Sequence, residues 1–153
     1  MQTNTLFDII MPPDGGQDLF IREDSMNELL MYRCPACGNL LCVKEDHDNV
    51  PCCCGQSMVK VTVNTADAGF EKHVPVLRRD GTRVSIDVGS VPHPMLERHR
   101  IEWICLLTDR GAYLRDLTVN EAPRAEFVIG PDEEVFSAYA LCSLHGLWGL
   151  DTR

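Results

Sequence analysis

Arg83-Val84-Ser85-Ile86-Asp87-Val88-Gly89 is the stretch whose reading decides the fold. Val84, Ile86 and Val88 alternate with Ser85 and Asp87, which is the period of a half-buried strand with one apolar and one polar face. The same alternation recurs downstream. Ile101, Trp103, Cys105 and Leu107 would share one strand face; Ala125, Phe127 and Ile129 make a third set; and 135–141 is rich in strand formers. Gly81, Gly89, Gly111 and Gly130-Pro131 punctuate these runs as turns. Short strands at such spacing over residues 65–150 predict an all-β chain built on a β-sandwich of about seven strands, with helices minor.

Upstream of the sandwich the composition changes. The chain has 153 residues and eight cysteines, six of them between Cys34 and Cys54. The first basic residue is Arg22, so a secretory leader is not expected, nor is any apolar run long enough to span a membrane. A reducing, cytoplasmic setting is the expectation, in which clustered thiols are metal ligands or buried free cysteines rather than disulfides. The formal charge of -9 argues against nucleic acid as a partner, because binding phosphates needs a basic surface. Residues 1–31 read as an extension without an assigned role, with a loop at Met11-Pro12-Pro13-Asp14-Gly15-Gly16 and a capping-box pattern at Ser25 and Glu28.

Residues 32–60 form a unit too small to bury a stable core, so a metal is its natural staple. Cys34-Pro35-Ala36-Cys37-Gly38 is a C-x-x-C knuckle, and the second pair comes from Cys52-Cys53-Cys54-Gly55, where three adjacent cysteines compete for two places. Four thiolates suit zinc or a single iron, and spacing alone does not choose between them. Adjacent ligands require the backbone to bend sharply. Tyr32-Arg33-Cys34-Pro35-Ala36-Cys37-Gly38-Asn39 and Cys53-Cys54-Gly55, with fifteen residues between Cys37 and Cys53, resemble desulforedoxin. That resemblance implies an iron held by Cys34, Cys37, Cys53 and Cys54, with Cys42, Cys52 and His47 outside the set.

The other four histidines belong to residues 61–153. They stand in Glu71-Lys72-His73-Val74-Pro75, Val91-Pro92-His93-Pro94, Glu97-Arg98-His99 and Cys142-Ser143-Leu144-His145-Gly146. His93 is held between prolines, and Cys142-x-x-His145 is a chelating pair. Four imidazoles and one thiolate exceed a closed structural zinc site and leave one octahedral position open, an arrangement suited to inner-sphere redox of a small oxygen species. Cys105, Trp103 and Trp148 read as core or pocket-wall residues.

Asn64-Thr65-Ala66-Asp67, the His73 and His93 motifs, His99-Arg100-Ile101-Glu102-Trp103 and His145-Gly146-Leu147-Trp148 together resemble the superoxide reductases, and 32–148 resembles the two-iron desulfoferrodoxins. The resemblance implies an immunoglobulin-like sandwich in a homodimer and two non-haem irons per chain. His73, His93, His99 and His145 would be the equatorial ligands of the second iron, with Cys142 axial. It implies one-electron reduction of superoxide to hydrogen peroxide, fed by a rubredoxin-like donor. Lys72 would attract the anion and organise protonating water, and Glu71 would occupy the sixth position after oxidation. Ser143 stands where the family commonly has asparagine. Two other readings are a non-catalytic zinc- or iron-binding module or electron-transfer protein, and a superoxide dismutase, which would evolve dioxygen.

Overall fold

Residues 30–43, 48–65 and 70–152 are described by the structure, a computed structural model, the last stretch without the side chains of Phe70 and Glu71. The loop at 11–16, the capping box at 25–28 and His47 lie outside the described residues. The strands are β1 (Leu30–Arg33), β2 (Leu40–Val43), β3 (Cys52–Cys53), β4 (Gln56–Ser57), β5 (Val59–Lys60), β6 (Val63–Asn64), β7 (Pro75–Asp80), β8 (Arg83–Val88), β9 (Ile101–Thr108), β10 (Gly111–Asp116), β11 (Arg124–Val128), β12 (Val135–Cys142) and β13 (Gly146–Asp151). One helical turn, α1 (Phe70–His73), precedes β7. No helix among the described residues is long and apolar enough to cross a membrane.

The sandwich packs a three-stranded sheet, β11-β8-β7, against a five-stranded one, β10-β9-β12-β13-β6. Seven of these strands run antiparallel to their neighbours, and short β6 joins in parallel beside β13. The alternation in β8 does what the sequence predicts: Val84, Ile86 and Val88 are sealed from solvent. They meet Ala125 and Phe127 of β11, and Ile104, Leu106, Ala138, Ala140 and Trp148 of the larger sheet. Each such aliphatic contributes about 1.5–3 kcal/mol by leaving water.

β9 departs from the expected pattern. Trp103 and Cys105 face the outer side of the five-stranded sheet with Leu107 packed beside them, whereas Ile101 joins the inner core. The cause is a register shift: Trp103 pairs with Leu141 and Ile101 with Cys142, so Glu102 is an extra residue on β9. One inserted residue reverses which face every later side chain takes.

The outer side of that sheet is covered by the cysteine-rich unit. Met31 of β1 packs with Trp103, Cys105, Tyr139, Leu141 and Leu147, and Leu40, Val61 and Val63 lie against the same cluster. Among the described residues the small sheet, β2-β1-β5, has a separate core of Tyr32, Cys34 and Met58, with Val43 and Cys53 against it. Three buried side chains are too few to hold a sheet without another staple.

Candidate metal centres

The first centre is made by two turns. Cys34 ends just after β1; Gly38, at φ 76°, reverses the chain, and its N–H donates to the Cys34 carbonyl at 2.9 Å. The N–H of Cys37 also reaches back to the Cys34 sulfur, and this hydrogen bond brings that thiol down to about 7. On the other side β3 and β4 form a hairpin in which Cys53 pairs with Gln56, so Cys54-Gly55 are its two turn residues. Both have positive φ, 53° and 74°, as a type I′ turn requires. This turn supplies the sharp bend that neighbouring ligands need.

The sulfurs of Cys34, Cys37, Cys53 and Cys54 converge within 4.8 Å of one another. Cys52, one step along β3, is not among them, because successive strand side chains point to opposite faces. Four sulfurs at about 2.3 Å from a tetrahedral ion stand roughly 3.8 Å apart. Cys37 Sγ lies 3.7 Å from Cys53 Sγ, and Cys53 Sγ 3.9 Å from Cys54 Sγ. Those spacings fit a shared ion and are far from the ~2.05 Å of a disulfide. Hydrogen bonding to the Cys34 sulfur pushes the Cys53 thiol up to about 12. One thiolate is thus stabilised by backbone amides while Cys53 and Cys54 resist ionising, and a cation removes that conflict.

The second centre lies at one end of the sandwich. α1 delivers His73, the loop between β8 and β9 delivers His93 and His99, and the β12–β13 hairpin delivers Cys142 and His145. The hairpin closes on the Cys142–Gly146 pair, with Gly146 at φ 81°. The four rings form a closed cycle in the order 73, 93, 99, 145. Neighbouring centroids are 4.7–4.9 Å apart and neighbouring rings lie edge to face. His73 is stacked on Trp148 at 4.6 Å, so the tryptophan is a wall of the site.

The donor atoms fit one octahedral ion. Nitrogens at about 2.1 Å from an ion and at right angles stand roughly 3.0 Å apart; His73 Nε2 and His145 Nδ1 are 2.9 Å apart. Cys142 Sγ sits 3.4 Å from His93 Nε2 and 3.6 Å from His145 Nδ1. His99 Nε2 is buried with no hydrogen-bond partner, a nitrogen whose lone pair a metal would use. His93 Nδ1 meets the Pro94 carbonyl at 2.7 Å, which directs its Nε2 inward. Burial pushes His93 down to about 4, with the charges of His73, His99 and His145 adding to it. Burial also lowers His99, followed by His145, His73 and the Lys72 ammonium. Rings that resist protonation keep their lone pairs for a metal.

His73, His93 and Cys142 are buried, whereas His145 is exposed, so the centre meets solvent at His145. Lys72 is exposed too and near enough to act on His99. Glu71 lies in the same helical turn, and its side chain is outside the described residues. Ser143, next to the Cys142 ligand, is hydrogen-bonded to Arg100. Its N–H donates to the Arg100 carbonyl at 2.9 Å and its Oγ accepts from the Arg100 N–H at 3.2 Å, so this amide ties two ligand segments together rather than serving the sulfur. Nothing in the spacing of the sequence signalled that bridge. Cys105 is a core residue, and burial followed by nearby Cys42 pushes its thiol up to about 12.

An all-β chain with a four-thiol site on one small sheet and a four-imidazole, one-thiol site at the end of a sandwich defines a class of two-centre metalloprotein. The family model described as desulfoferrodoxin matches residues 65–151. A desulfoferrodoxin homolog of Archaeoglobus fulgidus is 44% identical over 124 residues, 80% of this chain and 98% of that protein. The desulfoferrodoxin of Nitratidesulfovibrio vulgaris is 41% identical over 122 residues, 80% of this chain and 95% of that protein. The crystal structure of the superoxide reductase from Treponema pallidum is similar with a TM-score of 0.73 at 33% identity, covering 82% of this chain and 99% of that one. The chain belongs to the desulfoferrodoxin family.

Proposed function

We infer that this chain is a superoxide reductase. The observation that carries the reading is the five-donor cluster of His73, His93, His99, His145 and Cys142, buried at His73, His93 and Cys142 and exposed at His145. These five residues would hold an iron, which would supply the one electron that, with two protons, converts superoxide to hydrogen peroxide. The four rings offer neutral nitrogens in one cycle, and Cys142 contributes the charge that favours giving an electron over taking one. Cys34, Cys37, Cys53 and Cys54 hold a second iron in a closed set, which suits storing or passing an electron and leaves no place for substrate.

Lys72 draws the superoxide anion toward the open side and organises the water that protonates the product. The net charge of -9 opposes an anionic substrate. Screening over about 8 Å lets the nearby ammonium outweigh the distant carboxylates. Glu71 is assigned, from the family resemblance, to the open position of the oxidised enzyme. The same resemblance supports a homodimer fed by a rubredoxin-like donor; the clustered thiols support a reducing, cytoplasmic setting, and the change of composition along the chain a division into an extension (1–31), a four-cysteine domain (32–60) and a sandwich domain (61–153).

Metal content of the anaerobically purified chain tests the reading: two irons are expected, and zinc alone would overturn it. Replacing Lys72→Met should slow superoxide capture about ten-fold and flatten its dependence on salt, with iron content unchanged. An unaltered rate would remove Lys72 from the mechanism.

A further inference from the structure

We propose that Asn64 is a positioning residue for the metal-binding hairpin. Its Nδ2 donates to the carbonyl of His145 at 3.4 Å and to that of Leu147 at 3.1 Å. One carboxamide thus bridges the two residues that flank Gly146. That glycine is the left-handed joint of the hairpin, and the site where a Cβ would stand is 3.8 Å from Asn64 Nδ2. The bearing of the His145 ring depends on the peptide that leaves its Cα, and Asn64 holds that peptide's oxygen. The other ring ligands have supports of their own: His73 has Trp148, His93 has the Pro94 carbonyl, and His99 is followed by the Arg100–Ser143 pair. His145 is the exposed ring, so it has the greatest need of a tether.

The backbone places Asn64 there deliberately close. β6 pairs Val63 with Leu147 and Asn64 with Trp148 at the edge of the five-stranded sheet. The approach is tight, since a Cβ on Gly149 would come within 2.7 Å of Val63 Cγ1. Upstream, the Val61 N–H donates to the Met31 carbonyl at 2.7 Å and β5 pairs with β1. The segment that leads into Asn64 is therefore anchored twice, on the small sheet through β5 and Val61 and on the sandwich through β6 itself. A polar side chain so anchored acts on the ligand it touches.

The inference rests on the metal-binding reading of the second centre, and its test does not use superoxide. The iron-loaded full chain is compared with Asn64→Leu, Asn64→Asp (the same outline with no N–H to donate) and Asn64→Gln, which keeps the donor. The readouts are the thiolate-to-iron absorption band and electron paramagnetic resonance of the second centre, with the spectrum of the four-cysteine centre as internal control. Loss of the donor should shift the second centre's spectra and speed iron release to a chelator about ten-fold. The first centre should keep its spectrum, and Asn64→Gln should recover part of the shift. Unchanged spectra in Asn64→Leu and Asn64→Asp would overturn the proposal even if activity or stability fell. So would shifts of equal size in both centres, or in all three variants alike, which would mark a general loosening. If Asn64→Leu does not accumulate, the Asp and Gln pair decides alone. A wild-type chain that binds iron with these spectra but fails to reduce superoxide would sink the catalytic reading and leave this one standing.

Discussion

The two centres solve the same problem, bringing donors to one ion, in opposite ways. The four sulfurs come from two turns within Cys34–Cys54, and the core beneath them is three buried side chains. The histidine–cysteine set comes from three separate segments between His73 and His145, and the core beneath it is the interior of the whole sandwich. A local site can be written in a short motif but must lean on its metal to stay folded. A distributed site needs a scaffold that folds without the metal, and that scaffold leaves one coordination face open to solvent. Catalysis belongs to the second kind for this reason.

The sharpest way to break the comparison is Cys34→Ser. It should empty the first centre and strip hydrogen-exchange protection from β1, β2 and β5, because apart from the docking of Met31 and Leu40 on the sandwich that sheet has, among the described residues, a core of three buried side chains. β8, β9 and β12 should exchange as in the wild type, and the second centre should keep its spectrum. Loss of protection throughout the chain would mean that the two regions are one cooperative unit, joined through Met31. The reciprocal change is Ile104→Ala in the sandwich core, where the side chain is fully buried. It should cost about 2–5 kcal/mol in denaturant unfolding. The second centre should lose its iron at lower denaturant than before, and the small sheet β2-β1-β5 should follow only because the surface on β9 against which Met31 docks has gone.

A smaller effect sharpens the claim that the scaffold is independent of both metals. Glu133 is buried, and accepts hydrogen bonds from Thr108 Oγ1 at 2.6 Å, the Gly130 N–H at 2.8 Å and Tyr113 Oη at 2.9 Å. The Thr108 bond first, and the Gly130 amide next, hold its carboxyl below the usual carboxylate range. A folded pKa below the unfolded one adds stability that is complete above roughly pH 4.3 and is lost as the pH falls through the lowered value. Glu133→Gln should therefore flatten the acid limb of the stability profile of the metal-free sandwich while leaving neutral-pH metal binding alone. An acid limb of unchanged slope would show that Glu133 adds nothing to it.

Much of this architecture could be read before any coordinates. Period-2 alternation in Val84–Val88 and Ala125–Ile129 placed strands of the sandwich, since a sheet with one buried face repeats every second residue. The C-x-x-C knuckle is legible because both ligands sit in one turn, and the histidine set became legible through its family motifs. Spacing alone left open which of Cys52, Cys53 and Cys54 bind, because the choice depends on the left-handed φ of Cys54; the desulforedoxin resemblance picked out Cys53 and Cys54. Two features were hidden, each for a physical reason. The parity change at Glu102 arises from the pairing of β9 with β12, a tertiary fact absent from either strand alone. Asn64 and Ser143 act through backbone carbonyls and amides of distant residues, and such bonds leave no periodicity to detect.

The claim that an open, thiolate-bearing centre reduces superoxide without oxidising it is tested most directly by product counting. Superoxide is supplied to the iron-loaded chain with an excess of reductant, and hydrogen peroxide and dioxygen are measured together. One hydrogen peroxide for each superoxide consumed, with no dioxygen evolved by the enzyme, is the predicted result. Half that yield of peroxide, with dioxygen making up the remainder, would make the chain a dismutase and contradict the reading of the second centre.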